Sequence, residues 1–261
     1  MRTVAREFNQ SETTFLLPPT RDVATWRLRS FTSSGSEVFG AGHNALGAWW
    51  WLATAGRLRL DGGAGRFAQE IGERVLPVEV IGAGGRPSAV SMEQAPPEFG
   101  RTVEDLGALA KALGLAVSDL SSSQPAQVVS TGAAHLLVPT RDRAALNLAR
   151  PDSFRLNEVL AAVGGQGCYL YCLDPVDVDA VAHARFFNPT AGIKEDPATG
   201  SAAGPLVRQL VALGVVADGS TVLVEQGHAM GRPSRIQVDV RGDRVRISGA
   251  GVVVAEGTLH I

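Results

Sequence analysis

The chain has 261 residues, 45% hydrophobic and 19% charged, with a formal net charge of −2. That is enough apolar material to bury a core and too much for a disordered chain, and the length suits one large domain or two of about 125 residues. No Lys/Arg cluster appears and Lys is nearly absent, so nucleic acid is excluded as a partner. Two cysteines, Cys168 and Cys172, exclude a disulfide scaffold and point to a reducing, cytoplasmic setting. The longest apolar run is too short to span a bilayer, so no membrane is expected, and no signal peptide is read at the start.

In chain order, Val4, Ala5 and Phe8 have the spacing of the last turns of a helix. Ser11 to Leu17 turns into a strand that ends at Pro18-Pro19, and Trp26 to Phe31 alternates as a half-buried strand. Asn44 to Ala55 is a chargeless helix containing Trp49-Trp50-Trp51 and stopped by Gly56. A helix apolar on all sides is expected to be buried on all sides. Short strands are expected at Arg57–Leu60, Val75–Ile81 and Ala89–Met92. Val103–Leu113 is an amphipathic helix closed by Gly114, and Ser121-Ser122-Ser123-Gln124-Pro125 reads as a linker.

Beyond it, 133–138 is a strand and Phe154–Val163 a helix with Phe154, Val159, Leu160 and Val163 facing inward. Cys168–Leu173 and Ala184–Phe187 are strands. The two cysteines, four apart, share one strand face and read as core, with no His close by in sequence to complete a zinc set. Thr199–Leu213 is a helix stopped by Gly214. A strand meander follows at 222–225, 236–240, 245–247, 251–255 and 258–261. Short strands with one buried helix per half define an α+β fold. The expected domains are 1–123 and 124–252, with 253–261 returning to the first.

Two glycine-rich helix openings carry the candidate chemistry. One is Gly40-Ala41-Gly42-His43-Asn44-Ala45-Leu46, the other Glu195-Asp196-Pro197-Ala198-Thr199-Gly200-Ser201-Ala202-Ala203-Gly204. Pro197 is placed where the second helix begins. Small residues at a helix N-terminus leave backbone N–H groups and the positive dipole end open to an anion. Ser30-Phe31-Thr32 precedes one opening and Phe186-Phe187-Asn188 the other. Gly42-His43 then corresponds to Gly200-Ser201, as a duplicated unit would have it. Each half offers a helix N-terminus to a shared cleft in this reading. Gly42, Asn44, Thr199 and Gly200 are the expected substrate contacts, and the ligand a small anionic, carboxylate-bearing metabolite. His135, His183, His228 and His260 show no metal-ligand spacing.

Five stretches together carry a resemblance: Arg6 to Thr13, Ala41 to Leu46, Ser130 to Val138, Lys194 to Ala202, and Glu225 to Ser234. In this order they resemble the PhzF phenazine-biosynthesis-like family, and the Glu195-Asp196-Pro197-Ala198-Thr199-Gly200-Ser201 block is the most specific. The resemblance implies the diaminopimelate epimerase-like fold. It has two pseudo-symmetric domains, each a central helix in a curved, mostly antiparallel sheet, with the active site between them. It implies a homodimeric, metal- and cofactor-independent isomerase. The founding member isomerises trans-2,3-dihydro-3-hydroxyanthranilate. Carried over from the family motifs, Glu12 is the proton shuttle, and His43, Asp196 and Ser201 assist it. The family begins with a hairpin and most of a helix ahead of the Glu motif. The reading frame is therefore expected to extend upstream.

Three rivals are weighed. Gly40 to Ala45 fits a dinucleotide-binding pattern, with Asp61 about 20 residues on, but Ser33 to Glu37 cannot form the strand that must precede it. A two-base racemase of the same fold would need thiols at Ala41, where many relatives have Cys, and at Thr199. A catalytically inactive small-molecule-binding relative would retain no acid–base set.

Overall fold

The structure, a computed structural model, describes residues 1–40, 42–61, 63–83 and 86–260. Ala41 and Ile261, named above, lie outside the described residues. The chain divides into two compact units, Met1–Met92 with Ser248–Ile261, and Glu93–Ile247. The 121–125 stretch falls within the second.

In the first unit, α1 (Arg2–Phe8) leads into β1 (Glu12–Leu17), which pairs antiparallel with β2 (Trp26–Thr32), Glu12 opposite Thr32. The short β3 (Glu37–Val38) returns on β2. Helix α2 (His43–Thr54) buries Ala45, Trp49 and Leu52, a stripe at helical spacing. The Trp49 indole N–H is satisfied by Gln69 Oε1 at 2.9 Å, so the ring can be fully buried. The helix is not buried on all sides: Gly47 and Thr54 are exposed, and Trp51 is 36% exposed. Apolar composition permits burial, but only a covering element enforces it. β4 (Ala64–Ile71) runs parallel to β2, and β5 (Arg74–Ala83) and β6 (Arg86–Glu93) follow as antiparallel hairpin partners.

In the second unit, β7 (Glu98–Thr102), β8 (Gln127–Ser130) and β9 (Ala134–Pro139) form an antiparallel run. Helix α3 (Leu106–Leu113) falls between β7 and β8. Helices α4 (Arg143–Leu148) and α5 (Ser153–Val163) connect β9 to its parallel neighbour β10 (Gly167–Cys172). Asp105, Asp142 and Asp152 cap these three helices by accepting a backbone N–H of the first turn. Leu109, Leu113, Leu156, Leu160, Leu136 and Leu170 close one core, which includes Cys168 and Cys172 on the same strand face. Phe154 is 73% exposed, and Leu156 takes its expected inward place with Leu160. Then come β11 (Ala180–Asn188), β12 (Ile193–Asp196), α6 (Gly200–Ala212), β13 (Thr221–Gln226), β14 (Ser234–Arg241) and β15 (Arg244–Gly249). Helix α6 is buried over most of its surface.

One connectivity occurs in both units. β1-β2-β3-α2-β4-β5-β6 matches β10-β11-β12-α6-β13-β14-β15. The second strand pairs antiparallel with the first and third and parallel with the strand after the helix, and two further strands complete the meander. The duplication expected from Gly42-His43 and Gly200-Ser201 is thus present in the topology. The helices begin at His43 and Gly200, one residue out of step with that alignment, which is within the usual spread of helix boundaries.

Several expected elements differ. Arg57–Leu60 is not a strand; the ladder is made by β4, whose Ala, Gly and Arg residues hide the alternation. Residues 251–255 and 258–260 form no strand, and Val252 and Val254 stand exposed without a ladder partner. Pro197 lies ahead of the first turn of α6. The proline inside that helix is Pro205, and its missing N–H leaves the Ser201 carbonyl without its helical partner.

Candidate active site

Glu12 is the first residue of β1 and His43 the first of α2. Pairing of β1 with β2, which leads towards α2, brings them together: His43 Nε2 lies 2.5 Å from Glu12 Oε2. The carboxylate is 11% exposed and the imidazole 33%, so a nearly dry acid meets a base that solvent can reach. The pair is charged only when the imidazole carries its second proton. Asn44 braces this opening. Its Oδ1 accepts from Gly42 N at 2.9 Å, and its Nδ2 donates to Ser30 Oγ at 2.9 Å and Gly40 O at 3.1 Å. Gly42 N–H is therefore already engaged, and Asn44 serves the loop with its side chain.

In the second unit, Asp196 ends β12, Thr199 is the N-cap position of α6, and Gly200 and Ser201 open the helix. Asp196 and Thr199 are buried. Thr199 Oγ1 donates to Asp196 Oδ2 at 2.5 Å and accepts from Gln226 Nε2 at 3.0 Å. Gln226 Nε2 also donates to Asp196 O at 2.6 Å, and Gln226 Oε1 accepts from Thr199 N at 3.0 Å. Every polar atom of Thr199 that could reach a ligand, apart from its carbonyl, is thereby committed. Gly200 has a packing reason to be small: a Cβ there would lie 2.4 Å from Ile247 Cδ1. Its carbonyl accepts from Gln94 Nε2 at 2.9 Å. The neighbouring Glu195 points to the other face of β12, as strand alternation requires, and forms a two-point pair with Arg185 at 2.9 Å in each arm. Of the adjacent acids, Glu195 is the structural one.

Ser201 Oγ lies 3.2 Å from His135 Nε2. His135 is buried, and burial holds its pKa down at about 4, so the ring is neutral at pH 7. Tyr169 is also buried, and its hydroxyl has no hydrogen-bond partner among the described residues. Burial and the nearby Asp196 charge keep it protonated. Sequence reasoning set His135 aside and assigned nothing to Tyr169 or Gln226. His135 and Gln226 do lie in the motifs that carry the family resemblance. Two surface cavities of this unit, about 400 and 330 Å³, are lined by residues other than Asp196, Thr199, Gly200 and Ser201.

The cysteines cannot serve as acid–base thiols, since burial pushes Cys168 up to about 12 and Cys172 to about 11.

Comparison with known proteins bears on the family and the fold. Residues 1–257 match the family model described as phenazine biosynthesis-like protein. The trans-2,3-dihydro-3-hydroxyanthranilate isomerase of Pseudomonas chlororaphis is 34% identical over 99% of this chain and 87% of its own length. The crystal structure of a Bacillus anthracis phenazine biosynthesis protein of the PhzF family superimposes with a TM-score of 0.90 at 27% identity, covering 100% of this chain and 88% of that one. A hydroxyproline epimerase from Agrobacterium vitis shares the fold alone, with a TM-score of 0.64 at 13% identity over 92% of this chain and 72% of its own. The fold is the α+β fold of the diaminopimelate epimerase type. The chain belongs to the PhzF phenazine biosynthesis-like family, which includes named isomerases.

Proposed function

We propose that the chain is a PhzF-type isomerase that moves a proton between two carbons of a small carboxylate-bearing metabolite by acid–base chemistry, without a metal or organic cofactor in the reaction. The observation that carries this reading is the close approach of the Glu12 carboxylate to the His43 imidazole. Moving hydrogen along a conjugated substrate requires one group that takes a proton and returns it elsewhere. A largely desolvated carboxylate suits that task, because water does not compete for the proton. Glu12 is the shuttle in this reading. His43 polarises the substrate. Asp196, held by Thr199 and Gln226, and Ser201, held by His135, bear on the substrate's polar groups, with Gly42, Asn44, Thr199 and Gly200 shaping the two helix openings. A racemase reading loses support because the Thr199 hydroxyl is committed to Asp196 and is no thiol. The family resemblance supports a cytoplasmic homodimer. No described helix is long and apolar enough to cross a membrane.

The test is a metabolite screen in heavy water, read by proton NMR for deuterium uptake at carbon. Wild-type protein should label its substrate. Glu12→Gln keeps shape and removes the titrating group, so it should still bind that metabolite and label it about 10²–10⁴-fold more slowly. Labelling by Glu12→Gln at the wild-type rate would reject the assignment.

A further inference from the structure

Strand β13 presents Gln226 to the Asp196–Thr199 network on one face. The preceding residue, Glu225, points to the opposite face. Parallel pairing of β11 with β13 sets His183 directly beside Glu225, and the turn at His228–Met230 brings His228 back to the same place. His183 Nδ1 lies 2.9 Å and His228 Nε2 3.7 Å from Glu225 Oε2. One ligand atom from each of the three residues falls within 4.8 Å of the others. His183 and Glu225 are buried, while His228 is 32% exposed.

The Glu225 carboxylate is fixed before any ligand arrives. Its Oε1 accepts from Asp177 N at 2.6 Å and its Oε2 from Val176 N at 3.2 Å. Among the described residues, its ion-pair partners are the two imidazoles alone. A buried carboxylate thus stands between two imidazoles with no Lys or Arg paired to it among the described residues, an arrangement that a bound cation would stabilise.

We propose that His183, Glu225 and His228 form a binding site for a divalent transition metal, zinc in the first instance. Two imidazoles and one carboxylate make a borderline-soft donor set suited to zinc. Zinc bonds of about 2.0–2.1 Å in a tetrahedron put neighbouring ligand atoms about 3.3 Å apart. The distances of 2.9 and 3.7 Å lie on either side of that value. Zinc takes the lone pair of His183 Nδ1, and the ring proton then resides on Nε2. A fourth position is left for water on the side of His228, the most accessible of the three. The site lies on the face of β13 away from Gln226 and is independent of the proposed isomerase chemistry. The competing arrangement is a simple buried His–Glu hydrogen bond that ties the 176–177 turn to β13.

The full chain, stripped with a chelator, is titrated with zinc chloride in a calorimeter. One equivalent should bind, and the thermal midpoint should rise with zinc. His228→Ala alters the most exposed ligand and should weaken binding by more than about tenfold. No zinc uptake by the wild-type chain, or undiminished uptake by His228→Ala, overturns the proposal. Should that variant fail to fold, imidazole ¹⁵N resonances of the wild-type chain decide. Those of His183 and His228 should shift at one equivalent while that of His135 stays; an unmoved His183 overturns it.

Discussion

Gly227 joins β13 to the turn that carries His228, with a φ of 84°. A Cβ there would lie 2.2 Å from the Arg232 carbonyl oxygen and 2.8 Å from that of Pro197, both backbone atoms that cannot swing aside. Gly227→Ala should therefore cost about 3 kcal/mol or more, from left-handed strain and overpacking together, measured as a fall in the urea midpoint. His135 gives a pH signature. Its folded pKa of about 4 lies below the ordinary 6.5, so the unfolded chain binds more protons between those values. The stability it contributes is complete above pH 6.5 and is lost as pH falls toward 4, on the order of 3 kcal/mol in all. Urea titrations at pH 7 and pH 5 should show a loss in the wild-type chain that is smaller in His135→Gln. At this scale Glu12, His43, Asp196 and Ser201 were singled out because short motifs hold them, and the structure adds their immediate partners. His135 was not, since its partner Ser201 lies 66 residues away and no local spacing records the contact. The His183–Glu225–His228 cluster was hidden likewise, because strand register, not sequence spacing, assembles it.

At the scale of elements, the two central helices are equivalent in topology and unequal in cover. Helix α6 is enclosed along most of its length, whereas α2 exposes Gly47, Trp51 and Thr54. Amide hydrogen exchange should therefore be slower through Ala203–Leu210 than through Ala45–Leu52, since local opening is cheaper where fewer apolar contacts must break. Equal protection in the two helices by exchange mass spectrometry would contradict this. The helices were legible from 3.6-residue periodicity and glycine stops, as in α3 with Gly114. Strands β4 and β7 were not, because Ala-Gly-Arg and Glu-Phe-Gly-Arg carry no clean alternation and are strands by virtue of their partners. The valines at 252 and 254 misled in the opposite direction, alternating without a neighbour to pair with.

At the scale of the whole molecule, the proposed acid–base set includes a second carboxylate, Asp196, buried against Thr199 and Gln226. Asp196→Asn should thus suppress deuterium labelling of the substrate as Glu12→Gln does, with folding of both variants checked by circular dichroism. Labelling that survives Asp196→Asn at the wild-type rate would remove Asp196 from the proposed set. The α+β class was legible from the short strands and paired helix openings, and the repeated connectivity is its fuller expression. That repetition has an evolutionary consequence. A gene encoding a single copy, assembled with itself, must place identical side chains at equivalent positions. Two copies in one reading frame mutate separately. The helix openings could then diverge, one acquiring an imidazole beside a carboxylate and the other a hydroxyl beside a neutral histidine, while the inherited ladder of strands stayed unchanged beneath them.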